Sequence, residues 1–372
     1  PPYGTSDVIT HQGGIQFNHH FEKFLGGSSV LTAGTEYVYD KVFDEIPTYR
    51  YEIDQTTKNL GAYVQNDWDI TPTINFLTGF RLDKHNLLDK TIFSPRLSLL
   101  YKGVTNTQFR LGWGTGFRAP QAFDTDLHIA FAGGGVSRIS LSPDLKEERS
   151  NSFTGSVNYD KATEHFIAGF TVEGFYTRLK DAFFQSPIGS DEFGDIFEKR
   201  NGDEAVVKGI TVETRANFDY VVQLEAGFTF QKSQFKTPVE TIEGLAPKRE
   251  FLRTPNNYGY ATITYNPNKN WNISLNGVFT GSMILAHVAG VGTGQNIDEY
   301  FQTKSFTDVG LRAGHTFNFQ KIKSGIEIFG GMKNIFDAYQ KNFDTGKNRD
   351  SNFIYGPNMP RTLFVGLRIK SI

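Results

Sequence analysis

Along most of this chain apolar and polar side chains alternate one by one, the period-two pattern of strands with two unlike faces. Leu363, Val365, Leu367 and Ile369 alternate with Phe364, Gly366, Arg368 and Lys370. Leu60, Ala62, Val64, Trp68 and Ile70 alternate with Gly61, Tyr63, Gln65, Asp67 and Asp69. The tight turn Thr71-Pro72-Thr73 then leads into Ile74, Phe76, Phe80 and Leu82 set against Asn75, Gly79, Arg81 and Asp83, which makes a hairpin with one polar face. The pattern returns in Phe109, Leu111 and Trp113, in Phe166, Phe170, Val172 and Tyr176, and in Ile210, Val212 and Thr214. It returns again in Val222, Leu224, Ala226, Phe228 and Phe230, in Trp271, Ile273 and Leu275, and in Val309, Leu311 and Ala313.

The connections between these stretches alternate short and long. A first strand near Asp7 to Phe24 and a second from Ser29 to about Tyr39 flank the turn at Gly26-Gly27-Ser28. Further short turns fall at Gly103 to Asn106, Asp219-Tyr220, Asn266 to Lys269 and Lys321 to Lys323. Long polar connections are expected from Lys41 to about Thr57, Phe117 to Lys146, Asp181 to Gly194, Lys232 to Pro255, Gly281 to Lys304 and Asp337 to Pro360. A soluble sandwich has no reason to alternate in this way, whereas an up-and-down membrane barrel has short turns on one side and long loops on the other. The fold class expected is all-β, a transmembrane antiparallel up-and-down β-barrel, with about fifteen strands in this chain. That number is odd and single-chain bacterial barrels are even, so either one strand escapes the pattern or the N-terminal part of the wall lies outside the chain.

Composition narrows the classes. No apolar run approaches the length of a membrane-spanning helix and mean hydropathy is −0.38, which leaves barrel strands possible because their average hydropathy is low. A net charge of −2 without a polybasic block speaks against nucleic-acid binding. The absence of cysteine removes disulfides and thiolate metal sites. Adjacent His19 and His20 point to opposite faces of a strand and make no metal pair, and the remaining histidines, His11, His85, His128, His165, His287 and His315, read as scattered polar residues. Gly290-Val291-Gly292-Thr293-Gly294 lacks the strand-to-helix setting of a phosphate loop, and no nucleophile elbow is visible. No catalytic residues, metal or cofactor are therefore assigned.

Several segments resemble one family. Gly116-Phe117-Arg118-Ala119-Pro120 is similar to a G-F-R-A-P element, and Leu145-Lys146-Glu147-Glu148-Arg149-Ser150 to an L-K-P-E-x-S element in which Glu147 replaces proline. Gly79 to His85, Phe93 to Tyr101, Met332 to Tyr339 and the closing strand that follows Tyr355-Gly356-Pro357-Asn358-Met359-Pro360-Arg361 fit the same pattern. They resemble the barrel domain of TonB-dependent receptors; that family's terminal aromatic would fall at Ser371. The resemblance implies a single domain over residues 1–372, part of a twenty-two-stranded barrel whose plug domain and first strands lie outside the chain. It further implies a bacterial outer-membrane location and active transport of a scarce nutrient such as a ferric siderophore, cobalamin or haem. Its partners would be outer-membrane lipid, the nutrient chelate and, through the plug, the TonB complex. A passive channel or an adhesive barrel on the same wall is the alternative, and an outer-membrane phospholipase a weaker one.

Binding residues concentrate on loops held by a rigid scaffold. The candidates for ligand contact are Phe117, Arg118, His128 and Phe131 in one loop and Tyr339, Phe343, Arg349 and Tyr355 in the other. Aromatics offer broad contact area and arginine offers paired hydrogen bonds to anionic groups. Arg118 and Tyr355 could equally brace the loops against the rim. On the polar face Arg81, Arg96, Arg110, Glu213 and Arg215 are the candidates to face a plug. Trp68 and Trp271, on the apolar face near short turns, suit an aromatic girdle.

Overall fold

The computed structural model describes residues 4–121, 130–132, 135–290, 295–319, 321, 323–346, 349–350, 352–357 and 359–371. In chain order the strands are β1 (Thr5–Phe24), β2 (Gly27–Ile46), β3 (Tyr51–Thr71), β4 (Ile74–His85), β5 (Ile92–Val104), β6 (Thr107–Arg118), β7 (Ala130–Ala132) and β8 (Gly135–Leu141). There follow β9 (Glu148–Ala162), β10 (Phe166–Lys180), β11 (Phe183–Asp191), β12 (Gly194–Asn201), β13 (Glu204–Phe218), β14 (Val222–Val239) and β15 (Lys248–Glu250). The last are β16 (Asn257–Tyr265), β17 (Trp271–Thr280), β18 (Ile284–His287), β19 (Glu299–Gln302), β20 (Phe306–Phe319), β21 (Ser324–Lys333) and β22 (Thr362–Ser371). The described residues contain no α-helix; a 3-10 turn lies at Pro47–Tyr49.

One sheet dominates. Its antiparallel path runs β1-β2-β3-β4-β5-β6-β9-β10-β13-β14-β16-β17-β20-β21-β22, with β15 attached to β14 as its sixteenth strand. Fifteen of the strands therefore form a continuous wall, as the alternation predicts. Within the described residues β1 pairs only with β2, and β22 only with β21.

Register explains why each strand sits where it does. Starting from β3, Val64 pairs Phe80, Phe80 pairs Pro95, and Leu97 and Leu99 pair Trp113 and Leu111. The row continues through Phe153, Tyr176 and Val172 to Val212 and Phe228. It ends through Ile263, Leu275, Leu311 and Met332 on Leu363. Because side chains alternate at period two, a slip of one residue anywhere would put polar groups into this apolar band. Leu363, Val365, Leu367 and Ile369 are 74, 82, 71 and 80 % exposed, so the apolar face points outward and covers no core. Trp68 and Trp271 lie on this face beside short turns, and the Trp68 indole donates to the Phe24 carbonyl at 3.0 Å. Most of the few buried apolar side chains, among them Tyr51, Ile92, Ala119, Ala182, Phe183, Ile242, Leu285 and Phe353, belong to the long-loop end, whereas Leu100 lies near the short turns.

The connection expected from Lys41 to Thr57 is not a long loop. β2 continues to Ile46, the chain turns through Pro47–Tyr49, and β3 begins at Tyr51, with Ile46 paired to Tyr51. Arg50, at φ +48, closes the turn by donating its N–H to the Pro47 carbonyl at 3.1 Å. This hairpin runs past the apolar band, where both faces meet polar surroundings and the one-in-two hydropathy signal fades while the backbone ladder persists. The connections at 181–203 and 281–305 likewise hold strands of their own, β11-β12 and β18-β19, and β14 runs on to Val239 inside the stretch expected to be loop from Lys232.

Candidate functional site

The polar face of the wall is a set of short cross-strand bridges. Arg81 on β4 reaches Glu36 on β2 at 3.3 Å and Asp83 at 2.9 Å, crossing β3 at Gly61, where a Cβ would lie 2.2 Å from the guanidinium. Tyr63 crosses β2 over Gly34 in the same way and its hydroxyl donates to Gln16 at 2.9 Å. Arg96 reaches Gln65, and Arg215 reaches Asp160 through Nε at 2.9 Å. Tyr260 donates to Glu213 at 3.4 Å. Each of these side chains leans two strands back along the wall; Arg81 and Arg215 meet carboxylates there, while Arg96 and Tyr63 meet glutamine amides. Near the closing strand, Glu327 is buried and receives Arg312, Lys370 at 2.8 Å and Arg368 at 3.5 Å. Arg110 is exposed.

At the long-loop end a second sheet, in the order β11-β12-β8-β7, stands against the upper ends of the wall strands. Between them lies a cavity of about 690 Å³ lined by Arg118, Phe183, Lys199, Phe235, Phe251 and Arg253. Phe183 is its centre. The Arg118 guanidinium and the Lys199 ammonium each sit 4.7 Å from the Phe183 ring centroid, a cation–π geometry that gains when water is excluded. Glu148 accepts the Phe183 N–H at 2.9 Å and lies 3.6 Å from Arg118. Arg253 donates to the Ile354 carbonyl at 2.9 Å, and burial lowers its pKa from the ordinary arginine value.

Among the described residues of the closing connection, 334–361, side chains hold backbone. The buried Asn334 amide donates to the carbonyls of Ala338 and Met359, and its oxygen accepts the Ala338 N–H. Gln340 donates to the Phe353 carbonyl at 3.0 Å and accepts the Tyr355 N–H at 3.0 Å. The loop docks on β18-β19 through His287, whose ring stacks on Phe353 with centroids 3.5 Å apart. His287 Nε2 lies 3.0 Å from Asp344, and Nδ1 lies 3.5 Å from Glu299. Asp350, buried beside them, accepts the Val288 N–H at 2.9 Å; loss of hydration raises its carboxyl pKa above the usual aspartate value.

A family model, TonB dependent receptor-like, beta-barrel, matches residues 2–335. The chain belongs to this family. The barrel is also similar to solved structures: the siderophore receptor PirA from Acinetobacter baumannii, at 17 % identity and a TM-score of 0.69, over 99 % of this chain and 55 % of that one. The ferric-catecholate import receptor Fiu from K12 E. coli matches at 13 % identity and 0.69, over 98 % and 54 %. A mutant of the ferric enterobactin receptor PfeA from Pseudomonas aeruginosa matches at 17 % identity and 0.68, over 99 % and 54 %. At these identities the likeness concerns the fold. The chain spans about half the length of each receptor. No curated protein matches the sequence.

Within this TonB-dependent receptor barrel the sequence candidates fall in three places. Arg118 lines the 690 Å³ cavity, and Phe117 precedes it on β6. Tyr355 packs inside the closing loop, its hydroxyl donating to Asn342 at 2.6 Å and its ring 5.7 Å from Phe353. Tyr339, Phe343 and Arg349 are exposed, Arg349 donating to the Gly346 carbonyl at 3.2 Å. His128 lies outside the described residues, as do residues 291–294 of the glycine-rich loop; Phe131 is on β7. Sequence reasoning missed Phe183, Lys199 and Arg253, and it placed His287 among scattered polar residues although it is buried. Alternation could not find these residues, because their environment is made by segments far apart in the chain. Among the described residues no three His, Cys, Asp or Glu side chains are placed to hold a metal ion.

Proposed function

We propose that this chain is part of the wall of a bacterial outer-membrane receptor that captures a scarce nutrient on its long-loop side and imports it with TonB-derived energy. The observation that carries the reading is the unbroken outward apolar row from Val64 to Leu363. Lipid offers no hydrogen-bond partners, so a membrane wall needs a laddered backbone with an apolar exterior; this wall is laddered from β1 to β22, and its two outer edges call for the strands outside the chain. A plug domain outside this chain would meet the polar face at Arg81, Arg96, Arg110, Glu213 and Arg215 and carry the contact to the TonB complex. The cargo is an anionic metal chelate of the siderophore kind. Supporting this are the aromatic and cationic lining around Arg118, Phe183, Lys199 and Arg253, and the siderophore and the ferric catecholate named for two of the similar receptors.

Ligand contact on this reading comes from Phe117, Arg118, His128 and Phe131 and from Tyr339, Phe343, Arg349 and Tyr355. The test is uptake of a panel of labelled ferric chelates at low concentration by cells carrying the full-length receptor, with and without TonB. Loss of uptake without TonB supports the reading; uptake unchanged without TonB overturns it in favour of a passive channel. Alanine at Arg118, His128, Arg349 and Tyr355 is expected to weaken chelate binding while heat-modifiable gel migration stays intact.

A further inference from the structure

The hairpin β11–β12 rises from the connection between β10 and β13, yet its tip touches the hairpin β2–β3, far round the wall. From β3 to β10 the wall takes five interstrand steps, about 24 Å at a strand spacing of about 4.8 Å. β11 has nine residues, about 30 Å of extended chain, enough to make that crossing. Phe193 at the tip stands edge-on to Tyr49 at 6.1 Å and lies under the Arg50 guanidinium at 5.4 Å. Glu192 pairs with Arg50 at 3.3 Å.

The two ends of this hairpin are held very differently. At its base, Gly202 donates to the Ala182 carbonyl at 2.7 Å and Asp181 to the Asp203 carbonyl at 3.0 Å. The Asn201 side chain donates to the carbonyls of Asp181 and Lys146, and Ala182, Phe183 and Lys199 are buried. At its tip the Arg50–Glu192 pair leaves the two side chains 76 and 64 % exposed, where ion pairs are weak and screened by salt. Between base and tip the ladder is broken by a bulge from Pro187 to Gly189, with Gly189 at φ +131. A bulge bends a strand and loosens its pairing, so it marks where the outer half can swing. On the far side Arg138 of β8 pairs with Asp191 and lies 5.4 Å over the same Phe193 ring, so β8 moves with the tip rather than with β2–β3.

We propose that β11–β12 is a strap across the long-loop mouth, latched at its tip by Phe193 on Tyr49 and Arg50, and that release of this latch uncovers the polar face of β4, β5, β6 and β9. Its base stays fixed, and the bend at Gly189 takes up the motion. The proposal goes beyond the transport reading and does not depend on which ligand is carried.

The chain has no cysteine, so nitroxides on Thr48→Cys and Ser190→Cys, both at exposed positions, label the two sides of the latch in the full-length receptor once any cysteine outside this chain is replaced by serine. Pulsed dipolar spectroscopy is expected to show one short-distance population. Adding Phe193→Ala should raise a longer-distance population several-fold, and Phe193→Tyr, which keeps a ring, should not. Distance distributions for Phe193→Ala that superimpose on the parent, or a Tyr variant that opens as far, would overturn the latch. If Phe193→Ala does not yield a heat-modifiable barrel, the parent cysteine pair read with rising sodium chloride, which screens the Glu192–Arg50 ion pair, replaces it. Growth of the long population with salt supports the latch, and an unchanged distribution up to molar salt rejects it.

Discussion

The wall and the long-loop end of this barrel are built on opposite rules. In the wall almost nothing apolar is buried: backbone ladders hold the strands, register keeps one face apolar, and polar side chains pair with one another two strands apart. At the loop end the backbone is held by particular side chains, Asn334, Gln340, Asp350 and Asn201, around small buried groups such as Phe353, His287 and Phe183. A periodic wall tolerates exchange within a face because any apolar residue serves outward. The loop end tolerates little, since each contact there is made once.

The widest separation between the two regions is expected from Phe353→Ala. Removing a fully buried ring costs about 3–5 kcal/mol, but the loss is local: hydrogen exchange should rise across 334–361 and β18-β19 while the wall strands keep their protection. Equal loss of protection in the wall would show that the two regions fold as one unit. Next in size, Leu275→Arg places a charge on the outward face and is expected to cost about 2–4 kcal/mol in lipid, whereas Asn276→Arg, one residue along on the polar face, should change stability by under about 1 kcal/mol. Denaturant unfolding of the receptor in lipid vesicles measures the pair, and similar losses at both positions would contradict the assignment of faces.

A smaller effect, about 1–3 kcal/mol, is expected for Asn334→Ala, which removes a buried amide and leaves the carbonyls of Ala338 and Met359 without their donor. Increased protease cleavage between Asp337 and Arg361 reports it. The smallest concerns pH. Burial raises the Asp350 carboxyl above its unfolded value of about 3.9. Its contribution to loop docking is therefore complete below that value and is lost as pH rises through the raised folded value. Amide exchange at Val288 should quicken as pH climbs through that window, after correction for intrinsic rates, and Asp350→Asn should remove the extra dependence. A residual dependence equal to wild type would assign the titration to another group.

How far the sequence carried differs by region, and for a physical reason. Wherever one face of a strand meets an apolar surrounding and the other a polar one, composition must alternate, so most wall strands and the short turns were legible. Past the band the signal vanished although the strands did not: Lys41 to Thr57 reads as loop yet is ladder almost to Pro47. Trp68 and Trp271 were legible as rim residues because a turn and a face together locate them. Arg118 was legible through its motif, while Phe183, Lys199 and Arg253, its neighbours in the cavity, were not.

What this sequence determined by itself is therefore the wall: all-β, about fifteen alternating strands, an apolar outside and a charged inside, because those features follow from each residue's two-fold choice of face. What only the tertiary structure decided is which distant residues meet. Nothing local to His287 announces Asp344 and Phe353, nothing local to Phe193 announces Arg50, and nothing in Arg81 announces Glu36 across Gly61. Those meetings depend on the order and stagger of strands and on where long connections fold back, and period-two alternation carries no information about either.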